Sequence, residues 1–305
     1  MTPPTLSDRH RLDKNLLRRA FERAAHGYDE AAQLQREVGA RMLERLDLVR
    51  VQPAVILDVG AGTGQCSDAL ARRYPQARVV ALDLAVNMLK KNRTRTPLLE
   101  RWFSNRRGFV CGDAEALPFA PASADMIFSN LTLQWCDDLD LAFREFRRVL
   151  KPGGLLMLST FGPDTLRELR DSWAQVDDFN HVNAFVDMHD IGDALVRARL
   201  SAPVMDVEYF TLTYADVPKL MHDLKTLGAH NVTAGRAHGL TGKGRLRHLI
   251  AAYEDYRSDG LLPASYEVVY GHAWAPDAAA HSPAAPGEVT IPLEQIRRAA
   301  DTKNL

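Results

Sequence analysis

Apolar residues recur at three- and four-residue steps near the start of the chain. Leu16, Leu17, Ala20, Phe21 and Ala24 form one stripe, and Leu34, Val38, Met42, Leu43 and Leu46 form another. This spacing predicts two helices, from about 13 to 26 and from about 30 to 48, separated at Gly27. The texture then changes to short continuous apolar runs. These are 54–59 (AVILDV), 78–83 (RVVALD), 108–111 (GFVC), 124–129 (ADMIFS) and 155–160 (LLMLST). Between them lie amphipathic stretches at about 66–71, 85–95 and 137–150, and Lys151–Gly154 (KPGG) reads as a turn. Unbroken apolar strands alternating with helices imply a parallel sheet covered on both faces, so an α/β doubly wound, mostly parallel sheet is expected.

Beyond residue 161 the pattern predicts helices at 164–175, 187–199, 215–228 and 243–258. Strands are expected at 204–212 and 266–274. This gives three segments: an N-terminal helical arm or lid over 1–53, a sheet domain over 54–275 with a helical insertion at about 213–262, and a tail over 276–305. The tail carries an Ala/Pro-rich stretch, APDAAAHSPAAPGE, and is expected to be disordered.

Charge and composition narrow the function classes. Basic and acidic residues number 38 and 39, for a net charge of −1, so there is no basic footprint for nucleic acid. No apolar run approaches the roughly 20 residues of a membrane helix, and the first residues lack the apolar core of a secretory signal. A cytoplasmic protein without a membrane partner is therefore expected. The cysteines, Cys66, Cys111 and Cys136, show no CxxC spacing, so neither a metal site nor a disulfide framework is suggested.

The candidate chemistry lies in the loop after the first strand. Residues 58–64 read DVGAGTG. Glycines there let the backbone approach a ligand closely. No GK[ST] follows, which argues against a nucleoside triphosphate, and the third glycine arrives one position early for a dinucleotide fingerprint. Asp83 ends the next strand, where a carboxylate can accept both hydroxyls of a ribose. The loop and this acid alone leave a dinucleotide or an adenosyl ligand open.

Five motifs in order then resemble the class I S-adenosylmethionine-dependent methyltransferases. They are DVGAGTG at 58–64, LD at 82–83, GDAEALPF at 112–119, DMIFSNLTLQW at 125–135 and RVLKPGGLLMLST at 148–160. The resemblance implies a Rossmann-like methyltransferase fold with S-adenosylmethionine as cofactor. In it Asp58 serves the methionine end, Gly60, Ala61, Gly62 and Gly64 supply backbone amides and space, and Asp83 takes the ribose. Leu84 and Met88 pack beside the adenine, Asp113 and Ala114 contact its edge, and Asn130 and Leu131 lie near the sulfonium.

The flanks resemble one branch, the BioC family of malonyl-acyl-carrier-protein O-methyltransferases of biotin synthesis. They are FERAAHGYDEAAQLQ at 21–35, FGPDTLRELR at 161–170, HVNAFVDMHDIGDAL at 181–195, LMHDLKTLGAHN at 220–231 and SYEVVYGHAW at 265–274. The reaction this implies is methyl transfer to the free carboxylate of a malonyl thioester on an acidic acyl carrier protein or on coenzyme A. Tyr28 of the arm would cover the cofactor, with Gln33 and Gln35 lining the same lid and Trp135 walling the methyl. Arg170, Lys225 and Arg236 are candidate clamps for the substrate carboxylate. Arg18, Arg19 and Arg23, with Lys243, Arg245 and Arg247, could face an acidic carrier. The same core motifs fit a small-molecule O- or C-methyltransferase of aconitate or quinone type. Some flanks also resemble an arginine-hydroxylating assembly factor, and a non-catalytic scaffold is the remaining alternative.

Overall fold

The computed structural model describes residues 11–97, 100, 104–229, 231–233 and 241–277. Seven strands form one sheet in the order β3-β2-β1-β4-β5-β7-β6. The strands are β1 (Val55–Val59), β2 (Arg78–Asp83), β3 (Arg107–Cys111), β4 (Ala124–Asn130), β5 (Leu150–Phe161), β6 (Ser201–Tyr214) and β7 (Leu262–Trp274). The first five pair in parallel, and β7 runs antiparallel to both β5 and β6. The doubly wound, mostly parallel sheet expected from the sequence is therefore present.

Alternation within the strands explains the two-sided covering. In β1, Ile56 packs with Leu34, Val38 and Met42, whereas Leu57 packs with Phe143 and Phe146 on the opposite face. Helices α3 (Gln33–Arg45), α4 (Gln65–Arg73), α7 (Arg167–Ala174), α9 (Val217–Thr226) and α10 (Lys243–Glu254) contribute to the first core. Helices α6 (Leu139–Val149) and α8 (Met188–Arg197) contribute to the second. Strand β6 lies at the sheet edge and alternates in burial on either side of Val207 and Glu208, which are both half-buried.

The chain before the sheet forms α1 (Lys14–Ala24), α2 (Tyr28–Ala31) and α3. The second expected helix is split because Ala32 leaves the helical region, with φ −77° and ψ 41°. Helix α3 buries Val38 and Met42 completely against the sheet. Helix α1 instead lies on α5 (Val86–Arg95), leaving Phe21 and Tyr28 beside Met88.

Three further boundaries differ from the sequence pattern. The KPGG segment belongs to β5. Helix α7 starts only at Arg167, because Leu166 sits in the left-handed region at φ 54°. Strand β6 begins at Ser201, with an irregular register between Ser201 and Val204. Pro203 lies in that irregularity, where the missing amide is tolerated on an edge strand. Of the 276–305 tail, residues 278–305 lie outside the described residues, as does the amphipathic piece at 291–300.

Candidate active site

A cavity opens at the carboxyl ends of β1 to β5. Each strand delivers lining residues as it ends: Gly60 and Gly62, Asp83 and Leu84, Asp113 and Ala114, Asn130 and Leu131, then Phe161. Ligands of open α/β sheets bind at this edge because the loops diverge there. Lys14, Leu17, Phe21, Tyr28 and Gln35 come from the N-terminal helices and form the opposite wall. A smaller cavity adjoins it, lined by Asp58, Ala61, Thr63, Gln65 and Cys66. The two share Tyr28, Gln35, Gly60, Gly62 and Asn130.

The loop is held by the protein itself. The Gly60 and Ala61 amides donate to Leu82 O at 2.8 and 3.0 Å, Gly62 N donates to Asp83 Oδ2 at 2.8 Å, and Gly64 N donates to Ala61 O at 3.0 Å. These four amides are engaged, which corrects the expectation that they serve a ligand; the loop offers shape and space. A Cβ at Gly60 would fall 1.9 Å from Thr132 Oγ1, on a backbone with φ +74°. A Cβ at Gly62 would meet nothing nearer than Tyr28 Cε1 at 4.0 Å, so this residue borders open cavity. Gly64 lines neither cavity. It starts α4 in the left-handed conformation, packed on Asn92.

Asp58 is 1% exposed and accepts from Ser67 Oγ at 2.5 Å. Burial, with the negative charge of Asp83 adding to it, pushes its carboxyl up to about 7 despite that bond. Burial likewise pushes Asp83 up to about 6, against the hydrogen bonds from Ala85 N and Gly62 N. Each Asp83 oxygen accepts one amide at 2.8 Å. A carboxylate has about four acceptor sites, so two remain for a ligand.

Tyr28 is half-buried, and burial followed by the charge of Asp83 raises its phenol well above the usual range, so it stays neutral. The neighbouring Asp29 fixes this part of the arm. It accepts from Thr63 Oγ1 at 2.5 Å and Gln65 Nε2 at 3.2 Å, and pairs with Arg95 at 2.7 Å and Lys91 at 3.2 Å. Burial alone would raise Asp29, but the Thr63 bond and the Arg95 charge hold it below the usual carboxylate range.

Several lining residues were not singled out from the sequence. Lys14 pairs with Asp113 at 3.0 Å and with Glu115. In the sequence it is an ordinary helix cation, because nothing local shows that α1 folds back onto the loop after β3. The Gln35 Oε1 atom is buried and has no hydrogen-bond partner among the described residues, while Gln35 lines both cavities. Gln33, expected beside it, is exposed and lines neither. Two residues along a helix is a rotation of about 200°, so the two glutamines face apart.

The Asn130 side chain is a strut: Nδ2 donates to Gln35 O at 3.0 Å and Oδ1 accepts from Ser159 Oγ at 2.8 Å. Leu131 lines the cavity at φ 50°, held there by Ser159 O and Ser159 Oγ, both 3.0 Å from its amide. Trp135 also lines the cavity, edge-on to Phe21 at 5.4 Å.

Two of the three expected carboxylate clamps, Arg170 and Lys225, are not brought to this site. Arg170 donates to Pro163 O and Thr165 O, each at 2.9 Å, and so fastens the start of α7. Lys225 is exposed on α9 and does not line the cavity. Arg236 lies outside the described residues.

Comparison with known proteins adds two findings. Residues 57–158 match the family described as "Methyltransferase domain". Over 273 residues the chain is 57% identical to the malonyl-[acyl-carrier protein] O-methyltransferase of Methylovorus sp. (strain MP688), covering 89% of this chain and 92% of that one. It is 55% identical to the protein of the same name from Gallionella capsiferriformans (strain ES-2), covering 87% and 92%. Among solved structures, the fold resembles a putative methyltransferase from Bacillus halodurans, with TM-score 0.56, 18% identity and coverage of 78% and 98%. It also resembles a Haemonchus contortus N-methyltransferase solved with S-adenosylhomocysteine, with TM-score 0.51, 17% identity and coverage of 86% and 60%.

Proposed function

The chain belongs to the malonyl-[acyl-carrier protein] O-methyltransferase family, and we propose on that premise that it methylates the free carboxylate of a malonyl thioester carried by an acyl carrier protein. It is an S-adenosylmethionine-dependent enzyme, and the ester it forms would prime pimeloyl-chain synthesis for biotin. Coenzyme A is the alternative handle for the same malonyl group.

The residues present fit the cofactor. Two joined cavities suit a ligand with a nucleoside end and an amino-acid end. Asp83 keeps two acceptor sites for the ribose hydroxyls, with Leu84 and Met88 beside the base and Asp113 and Ala114 at its edge. Asp58 borders the smaller cavity, and the unpartnered Gln35 Oε1 lies where the two join, so both can receive an ammonium. S-adenosylmethionine supplies an activated methyl group on a sulfonium.

The chemistry of the lining favours an acceptor that needs no deprotonation, and this observation carries the reading. Among the described residues no histidine lines the main cavity. Tyr28 is held neutral and burial raises the Cys136 thiol, while Asp113 is paired with Lys14. A malonyl carboxylate has a reference pKa near 4 and arrives ionised. Phe21, Leu131, Trp135 and Phe161 exclude water from around it, and alignment lowers the barrier. A quinone-type carbon acceptor, by contrast, would call for a base.

Mass spectrometry on malonyl carrier, malonyl-CoA, trans-aconitate and a demethylquinone tests the reading. A mass increase of one methyl is expected on the malonyl thioesters. Its absence on both would overturn the proposal.

A further inference from the structure

A second, larger groove of about 2240 Å³, open to solvent, adjoins the main cavity. The two share Gln134 and Cys136 as a common wall. The groove runs between α6 and α8, past Thr160 and the 183–187 segment. Residues of the arm lie along it as well. Leu12 bridges Thr233, and its amide donates to Asp137 Oδ1 at 2.7 Å. Nothing in the cofactor assignment uses this groove.

Two neutral amide side chains in it stand out. Gln134 sits at the inner end, where its Oε1 accepts from Thr160 Oγ1 at 3.2 Å. That bond occupies the carbonyl side and leaves the NH₂ group as a donor at the shared wall. Asn183 lies further along. It is 7% exposed, and its Oδ1 has no hydrogen-bond partner among the described residues. A buried amide oxygen without a partner is uncommon in a folded protein, because its desolvation goes uncompensated. A small rotation of the side chain brings this oxygen to a ligand N–H in the groove, which is its natural partner.

We propose that this groove is the channel for the thioester arm of the substrate. The arm is a long, flexible, uncharged chain carrying amide groups, with the malonyl thioester at its tip. Asn183 accepts an amide N–H of the arm, and Gln134 donates to the malonyl carboxylate where groove and cofactor cavity meet. A neutral donor holds the carboxylate oxygen without the full ion pair that would blunt its nucleophilicity. This also accounts for the absence of Arg170 and Lys225 from the site. The inference rests on the malonyl-thioester reading, and the arm it describes is common to carrier protein and coenzyme A.

The test compares three acceptors: malonyl carrier, malonyl-CoA and the short S-ethyl malonyl thioester, which lacks the arm. Asn183→Ala is expected to raise KM for both armed substrates about tenfold, the worth of one buried hydrogen bond, and to leave the short one within about twofold. Ala184→Trp narrows the groove from an exposed position and keeps the test independent of folding at Asn183. It should produce the same split, with unchanged S-adenosylhomocysteine binding by calorimetry. Gln134→Leu should weaken all three acceptors, the short one included. A larger effect on the carrier than on coenzyme A would identify the carrier as the physiological source of the arm. Equal KM changes for armed and short substrates, or none in either Asn183 or Ala184 variant, overturn the channel alone. A wild-type enzyme silent on all three malonyl thioesters overturns the reaction reading and the channel with it.

Discussion

Asp58 shows how burying a single carboxyl costs stability. Its carboxyl is buried, and its folded pKa of about 7 lies above the usual 3.8. The folded state therefore binds the proton more tightly than the unfolded chain. The stability linked to Asp58 is fully present below about pH 4 and is lost as pH rises through about 7. Asp58→Asn removes the buried charge while keeping an acceptor for Ser67. We expect its Tm to exceed the wild-type value at pH 8 by several degrees, at roughly 2–4 °C per kcal/mol for a chain of this size. Near pH 4 the two should converge, and cofactor affinity should fall in the variant. Thermal scans at both pH values check the sign, and a variant less stable at pH 8 would remove the argument. Asp83 is the companion case. Asp83→Ala is expected to abolish cofactor binding in calorimetry, because it removes the ribose acceptors and the anchors for Gly62 and Ala85. Unchanged binding would refute the ribose assignment. Both acids were legible in the sequence because they end apolar strands. Gln134 was not, since an amide in a short turn carries no signal of where it points.

At the scale of elements, the N-terminal helices are fastened by charged side chains from outside the sheet. Lys14 reaches Asp113 and Glu115. Glu22 accepts from Val86 N at 2.7 Å and Asn87 N at 2.9 Å at the start of α5. Asp29 gathers Thr63, Gln65, Lys91 and Arg95. Each tie joins α1 or α2 to a loop or helix near the main cavity, so the arm's position and the cavity's shape are coupled. Lys14→Ala should therefore weaken cofactor affinity about tenfold through a looser arm, the scale of one partly buried charge-assisted bond. Its effect on global Tm should be small, because α3 and the sheet hold the main core. Limited proteolysis within α1, with and without S-adenosylhomocysteine, reads this out; equal cleavage in variant and wild type would count against it. The helices themselves were legible from their apolar stripes. The break at Ala32 and the late start of α7 were not, because each depends on a local backbone conformation fixed by distant neighbours.

For the whole molecule, the balanced charge conceals an uneven distribution. Arg18, Arg19 and Arg23 are exposed on α1, and Lys243, Arg245 and Arg247 are exposed on α10. Arg245 is partly committed, lying 3.5 Å from Asp177 and over the ring of Phe179, whereas Arg247 has no ion pair among the described residues. Reversing Arg245 and Arg247 to Glu should raise KM several-fold for carrier-linked substrate and leave malonyl-CoA unaffected. The effect should shrink with added salt, since such charges act mainly on encounter rate. An unchanged KM for the carrier would rule out this face. Among the described residues no helix is long and apolar enough to cross a membrane. The sequence by itself determined the alternation of strand and helix, the order of the motifs and the acids at the strand ends, because hydrophobic period and glycine placement are local properties. It could not determine which polar groups would face the substrate. Arg170 was drawn away by two backbone carbonyls, Lys14 was brought in by the fold-back of α1, and the Asn183 Oδ1 was buried without a partner among the described residues, beside a groove that exists only once α6, α8 and the arm have packed. Those outcomes are settled by long-range contacts, where a side chain's role depends on what the rest of the chain places against it.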